Sequence, residues 1–346
     1  MSSSLCLLNP LDFPNWDETL LATPGYVFFH TSSWARVLCD TYRYTPCYLA
    51  EMEGSRFSTL VPVMEVRSIL TGRRGVSLPF TDFCPPILRE SSESQDLFRE
   101  LVACAQRRAW KYIELRDTER LKLEESCSTE YLTHDLILTP GVDTLFQSLK
   151  SNMRRNIRKA KEQGVEVQRM NTREGMSEYF KLHRMTRKRH GLPPQPYRFF
   201  GNVCDHIILK DLGSIFLSFH SGRPVAGAVF FHFGARVVYK FGASDFAWQH
   251  LRANNLLMWA AIRWYCERGF AELNFGRTEP ENDGLARFKA GWGATEKIMH
   301  YHRYALKEGR FVKPALRVSS WQKAVFGRMP APLLDLAGAL LYRHVG

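Results

Sequence analysis

The segment Asn274-Phe275-Gly276-Arg277, followed after a loop by Gly284-Leu285-Ala286-Arg287-Phe288-Lys289-Ala290-Gly291-Trp292-Gly293, decides how the rest of the chain is read. Glu272 to Phe275 has the composition of a short strand, and Gly276 then lets the backbone turn closely while Arg277 enters a loop. A short element next carries Lys289 between two aromatic residues, Phe288 and Trp292, which stand at i and i+4. A strand terminus, a close backbone approach and a partly desolvated cation together suit a site that holds a negatively charged oxygen. The competing reading makes Phe288 and Trp292 core residues and Lys289 a solvated neighbour.

At 346 residues the chain is too long for one ordinary core, and two domains of about 150 residues are expected. Hydrophobic residues make up 45% and aromatic residues 13%, which describes a packed globular protein and excludes extended disorder. Cysteines at 6, 39, 47, 84, 104, 127, 204 and 266 include no CxxC and no metal-ligand spacing with the histidines. Reduced thiols in a cytoplasmic protein fit that scatter better than a disulfide framework or a metal site, so no metal is expected. No basic n-region and sustained apolar stretch open the chain, and no run reaches the length of a membrane span.

The net charge of +12 is concentrated. From Lys150 to Arg198 there are 14 Lys/Arg against four Glu, a balance of +10, which leaves +2 for everything else. Within it, Leu149, Met153, Ile157 and Ala160 form a helical apolar stripe with Gly164 placed to end the helix. Arg154, Arg155, Arg158, Lys159 and Lys161 cover much of the solvent side. A second cluster, Arg184, Arg187, Lys188 and Arg189, ends at Gly191. Either these are solvated helix faces, or they meet an anionic partner such as phosphate, RNA, a nucleotide-sugar or anionic lipid.

The two halves repeat one pattern. In the first, a helix over Trp34 to Tyr42 precedes strands over Cys47 to Met52, Phe57 to Val66 and Gly75 to Leu78. In the second, strands over Ser214 to His220, Val225 to Phe233 and Arg236 to Gly242 form the matching meander. Helices follow, Gln95 to Arg108 and Arg252 to Arg268, and then strands near Tyr112 to Leu115 and Glu272 to Phe275. Two α+β domains of one type are expected, 1–145 and 146–312, each a mainly antiparallel central sheet flanked by helices, with a helical tail over 313–346.

Several stretches resemble the FemAB-like proteins and the related BioF2-like acyltransferase domain, whose halves are tandem GNAT-type folds. Phe28-Phe29-His30-Thr31-Ser32-Ser33-Trp34 and Arg73 to Phe80 resemble the N-terminal half of the envelope-associated, exopolysaccharide-linked branch. Ser151-Asn152-Met153-Arg154-Arg155-Asn156-Ile157-Arg158-Lys159-Ala160 resembles the helix that opens the second half. Gly242-Ala243-Ser244, Asn254-Asn255-Leu256-Leu257, Phe275-Gly276-Arg277 and Phe288 to Gly293 resemble the C-terminal signature.

The resemblance implies an acyltransferase that moves an aminoacyl or acyl group onto an amine of a cell-envelope precursor, from peptidoglycan or polysaccharide. No tightly bound cofactor is implied; the donor would be aminoacyl-tRNA or acyl-CoA, used as a cosubstrate, and no DNA is expected. Lys289 is the expected oxyanion-stabilising cation, with Phe288 beside it and Asp245 as a base, Glu279 and Asp283 being alternatives. Arg154, Arg155, Arg158, Tyr239, Arg252, Asn255 and Arg277 are the expected substrate-binding residues. One departure bears on the donor. GNAT enzymes that use acyl-CoA hold its pyrophosphate on a glycine-rich turn at a helix N-terminus. Here His250-Leu251-Arg252-Ala253-Asn254-Asn255-Leu256 lacks both glycines, which favours aminoacyl-tRNA. Two alternatives stay open: an acetyl-CoA-dependent N-acetyltransferase, and a non-catalytic module binding anionic polymer. Residues 329–346 carry the apolar run Leu333 to Leu341 with arginines at its ends, so this tail either docks on its domain or lies peripherally on the inner membrane.

Overall fold

The computed structural model describes residues 5–88, 94–121, 123, 128–313 and 320–345. Its first elements are β1 (Cys6–Leu8), α1 (Trp16–Leu21), α2 (Ser32–Tyr42), β2 (Thr45–Pro46), β3 (Tyr48–Glu53), β4 (Arg56–Val61), β5 (Met64–Ser68), β6 (Gly72–Val76), α3 (Ser94–Arg107), β7 (Tyr112–Arg116) and β8 (Thr129–Ile137). There follow α4 (Val142–Ser148), α5 (Ser151–Glu162), β9 (Glu166–Arg169), α6 (Arg173–Arg189), α7 (Tyr197–Val203), β10 (Gly213–His220), β11 (Arg223–Phe233), β12 (Arg236–Ser244) and α8 (Ala253–Glu267). The last are β13 (Glu272–Asn274), α9 (Asp283–Ala290), β14 (Thr295–Ala305), β15 (Arg310–Phe311), α10 (Ser320–Arg328) and α11 (Ala331–Val345).

Two compact units result, and they do not divide at 145 and 312. One comprises Met1–Leu132, Ile298–Ala315 and Leu341–Gly346, the other Thr133–Lys297 and Leu316–Leu340. The boundaries expected from sequence miss this because β8 and β14, unrecognised there, each run from one unit into the other. Within the expected tail, α10 and α11 are helical, and α11 is shared between the two units.

In the first unit β3 pairs with β1 and β4, while β5 pairs with β2 and β6, and β6 runs parallel to β7. The single strand expected over Phe57 to Val66 is therefore two strands in different ladders. Pro62 falls at the break; lacking an N–H, it cannot donate to a ladder. Leu49, Val61, Val63, Trp110 and Ile113 belong to the core beneath.

The second unit has the expected meander, with β9, β10, β11 and β12 antiparallel in that order. Strand β13 adds parallel to β12, and Asp135 to Ile137 of β8 pair antiparallel with β13. Met153, Ile157 and Ala160 of α5 are buried with Leu256, Leu257 and Trp259 of α8 in one core cluster. The apolar stripe read from the sequence thus docks α5 on α8 and turns its cationic side to solvent.

Candidate active site in the second unit

The site begins where two strands stop pairing. β12 and β13 are in register only from Arg236–Glu272 to Val238–Asn274. β12 continues to Ser244 along β11, with a bulge that leaves Lys240 unmatched between Tyr239–Phe230 and Phe241–Val229. From Tyr239 onward, among the described residues, the other edge of β12 has no strand partner. Asn274 holds the departing chain: its Oδ1 accepts the Gly276 N–H at 2.7 Å, and its Nδ2 donates to Thr133 Oγ1 at 2.8 Å and Asp135 Oδ1 at 2.6 Å. Gly276 takes φ 69°, a left-handed conformation that favours glycine.

Lys289 closes this turn from α9, whose start is capped by Asn282 accepting the Leu285 N–H at 3.2 Å. Its ammonium donates to the carbonyl oxygens of Gly276 at 2.8 Å and Arg277 at 3.1 Å, and the residue is 2% exposed. The Phe288 and Trp292 rings pack edge to face on each other at 5.9 Å. Trp292 is core, as one reading had it, but Lys289 is buried with it rather than solvated. In this conformation Lys289 ties the loop after β13 to α9.

A cavity of about 180 Å³ is lined by Phe288, the residue before Lys289, together with Asp245, Trp248, Arg252 and Asn255 among others. It sits at the start of α8, where the first N–H groups have no partner within the helix. Arg252 precedes that helix with φ 59° and ψ 27°. A left-handed turn stands where glycines were judged missing, and an arginine adopts it at a cost of roughly 1–2 kcal/mol. The Arg252 side chain is exposed and pairs with no carboxylate among the described residues.

The cavity brings together four of the expected residues, Asp245, Arg252, Asn255 and Phe288. Two are engaged structurally. Asp245 Oδ1 accepts the Ala247 N–H at 3.1 Å and its Oδ2 lies 3.2 Å from Arg223, so this carboxylate caps a turn and forms an ion pair. Asn255 Nδ2 faces Met153 Sδ at 3.6 Å, across the α5–α8 contact. Tyr239 packs on Phe230 and Phe275, with ring centroids at 5.2 and 6.3 Å, and burial pushes its hydroxyl up to about 12. Arg277 lies 3.4 Å from Glu279, and Asp283 is exposed in the first turn of α9.

Of the two basic clusters, only the first is open. Arg155, Arg158, Lys159 and Lys161 are exposed and form no ion pair among the described residues, while Arg154 donates to the Gln147 carbonyl at 2.7 Å. The second cluster is largely used by the fold. Arg184 pairs with Asp335 at 2.6 Å, Arg187 donates to the Pro193 carbonyl at 3.2 Å, and Arg189 covers the Phe246 ring at 4.8 Å.

Sequence reasoning missed Trp248 and His134. Trp248 stacks near His220 at 5.2 Å as well as lining the cavity, and an aromatic inside a Trp-Gln-His-Leu turn was its only signal. His134 is fully buried on β8, its carbonyl accepting the Phe275 N–H at 2.9 Å. Its Nε2 is 3.2 Å from the Glu296 carboxylate without hydrogen-bond alignment. Burial and then the Lys289 charge lower its pKa, so the imidazole is neutral at pH 7.

A splayed parallel strand pair, a bulged central strand and a helix N-terminus at the opening are the features of a GNAT-type fold. Residues 147–290 match the family model described as an acetyltransferase (GNAT) domain. FemX has a similar structure, with TM-score 0.70 and 14% identity over 88% of this chain and 98% of that one. A tandem GNAT protein from the clavulanic acid biosynthesis pathway aligns at TM-score 0.53 and 8% identity, covering 88% and 98%. The C-terminal domain (DUF2156) of a putative lysylphosphatidylglycerol synthetase from Agrobacterium fabrum aligns at 0.52 and 11%, covering 88% and 91%. A sequence search of curated proteins returns no match. The chain has the tandem GNAT fold expected from its sequence, and its second half carries the match to a GNAT acetyltransferase domain.

Proposed function

We propose that the chain transfers an aminoacyl or acyl group to an amine of a cell-envelope precursor, with donor and amine meeting where β12 and β13 part. The observation that carries this reading is the cavity at the N-terminus of α8, the helix on which α5 docks while its cationic side faces solvent. The positive end of α8, Arg252 and the α5 face suit a donor with an anionic backbone. The likeness to FemX and to a lysylphosphatidylglycerol synthetase domain supports an envelope acceptor. In the reaction a neutral amine attacks the acyl carbon. The new C–N bond forms as the C–O bond to tRNA, or the C–S bond to CoA, breaks, and the amine proton ends on the departing oxygen or sulfur. Lys289 positions the Gly276–Arg277 loop beside the reacting groups, and its charge favours the developing oxyanion. Asp245, already bonded twice, shapes the cavity, and no dedicated base is required of it.

The left-handed Arg252 favours a second reading, an acetyl-CoA-dependent N-acetyltransferase, because the turn that would cradle a pyrophosphate is present without its glycines. Calorimetry with acetyl-CoA, longer acyl-CoAs, an aminoacyl-tRNA and a UDP-linked muropeptide separates the readings. Saturable binding of charged tRNA, weakened in Arg252→Ser, is expected. CoA thioester binding instead selects the second reading. Polymer binding without turnover on any donor, unchanged in Lys289→Ala, would leave a non-catalytic module.

A further inference from the structure

The tail helices α10 and α11 each leave large apolar side chains exposed. α11 is docked by one side only. Leu334 and Gly338 are buried, and a Cβ on Gly338 would lie 2.0 Å from the Pro194 carbonyl oxygen, so the helix approaches the 193–195 turn as closely as backbone allows. Asp335 is held by Arg184. The other side presents Leu333, Leu336 and Leu340, which are 55%, 56% and 59% exposed and spaced as one helical stripe. On α10, Trp321 and Val325 at i and i+4 are 67% and 50% exposed. Five large apolar side chains in 20 residues exceed the scattered exposure of ordinary surfaces.

We infer that this face docks on an anionic lipid bilayer surface. Charge decides among occupants. Lys323, Arg328 and Arg343 flank the apolar residues, and the single carboxylate of the two helices, Asp335, is neutralised by Arg184. A second copy would set these cations against one another, whereas anionic headgroups would pair with them while the leucines enter the acyl boundary. α11 is 15 residues long and, among the described residues, no helix is long and apolar enough to cross a membrane, so the helix would lie in the interface plane.

The test is cosedimentation of the full chain with phosphatidylcholine vesicles, with and without phosphatidylglycerol. Binding is expected with phosphatidylglycerol. It should weaken roughly tenfold or more in the Leu336→Glu/Leu340→Glu variant, since each leucine contributes a transfer energy worth about that factor. Both positions are exposed, so the melting temperature should hold. Lys323→Glu/Arg328→Glu should weaken binding through charge alone. Wild-type protein that stays in the supernatant, or binding indifferent to both variants, overturns the inference. So does a dimer, seen by light scattering, that Leu336→Glu/Leu340→Glu dissociates, because the face is then a contact between copies.

Discussion

The Lys289 ammonium lies 2.8 Å from the carbonyl oxygen of Gly276, thirteen residues back in the chain. That bond, with its companion to Arg277, joins α9 to the loop after β13. Lys289→Met would leave two carbonyls buried without this donor, at about 1–3 kcal/mol each. Both a lower melting temperature and a lower turnover are expected, measured on the same preparation. Lost turnover at unchanged stability would instead assign Lys289 to the oxyanion alone.

Tyr239 and Gly242 form a second dependent pair. A Cβ on Gly242 would lie 1.8 Å from the Tyr239 hydroxyl and 2.9 Å from its ring. Gly242→Ala should therefore displace Tyr239 and destabilise by about 1–3 kcal/mol, as overpacking does. Adding Tyr239→Phe removes the nearest atom and should restore part of the loss, which a double-mutant cycle by urea denaturation would read.

The exposed cations of α5 should act on affinity without acting on stability. Arg155→Glu/Arg158→Glu is expected to leave the melting temperature within error. Binding of an anionic donor should fall, and its dependence on salt should become shallower, as titrations at two ionic strengths would show.

Acid should weaken the second unit before the first. Burial, then Arg187, lowers the pKa of His183 to about 3, although its Nε2–H donates to Gln195 Oε1 at 3.0 Å. The unfolded chain takes up this proton near pH 6.5 while the folded one does not. Stability is therefore full above that pH and falls toward pH 3, at up to roughly 1.4 kcal/mol per pH unit. Burial raises the Glu114 pKa, but Arg116 and Arg303 outweigh it and bring it to about 2, so its contribution is lost only between about pH 4.5 and 2. Urea denaturation across pH 7 to 4 should show a slope that His183→Gln flattens and Glu114→Gln leaves in place above pH 5.

Gly338→Ala should loosen the tail. The added carbon meets the Pro194 carbonyl oxygen at 2.0 Å, so α11 must shift outward. Faster limited proteolysis within 320–340 is expected, with the rest of the second unit resistant.

Local chemistry made much of this molecule legible before its structure. The period of Met153, Ile157 and Ala160 placed the buried side of α5, and alternation with turn residues placed β10, β11 and β12. The order of motifs from Trp34 to Gly293 pointed to the tandem acyltransferase fold, because helix stripes, strand alternation and turns depend on neighbours a few residues apart. What depends on distant partners was not legible. Pro62 was read through as part of one strand from Phe57 to Val66, whereas β4 and β5 part there and enter different ladders. Lys289 was read as a charge between rings, and only the folded chain shows its ammonium on carbonyls twelve and thirteen residues away. The missing glycines were read as favouring aminoacyl-tRNA, and only the folded chain shows that Arg252 takes the left-handed φ of 59° there against its local preference. Arg184 and Arg155 looked alike in sequence; the fold brings Asp335 to Arg184 and nothing to Arg155, because long-range ion pairs are set by where remote segments come to rest.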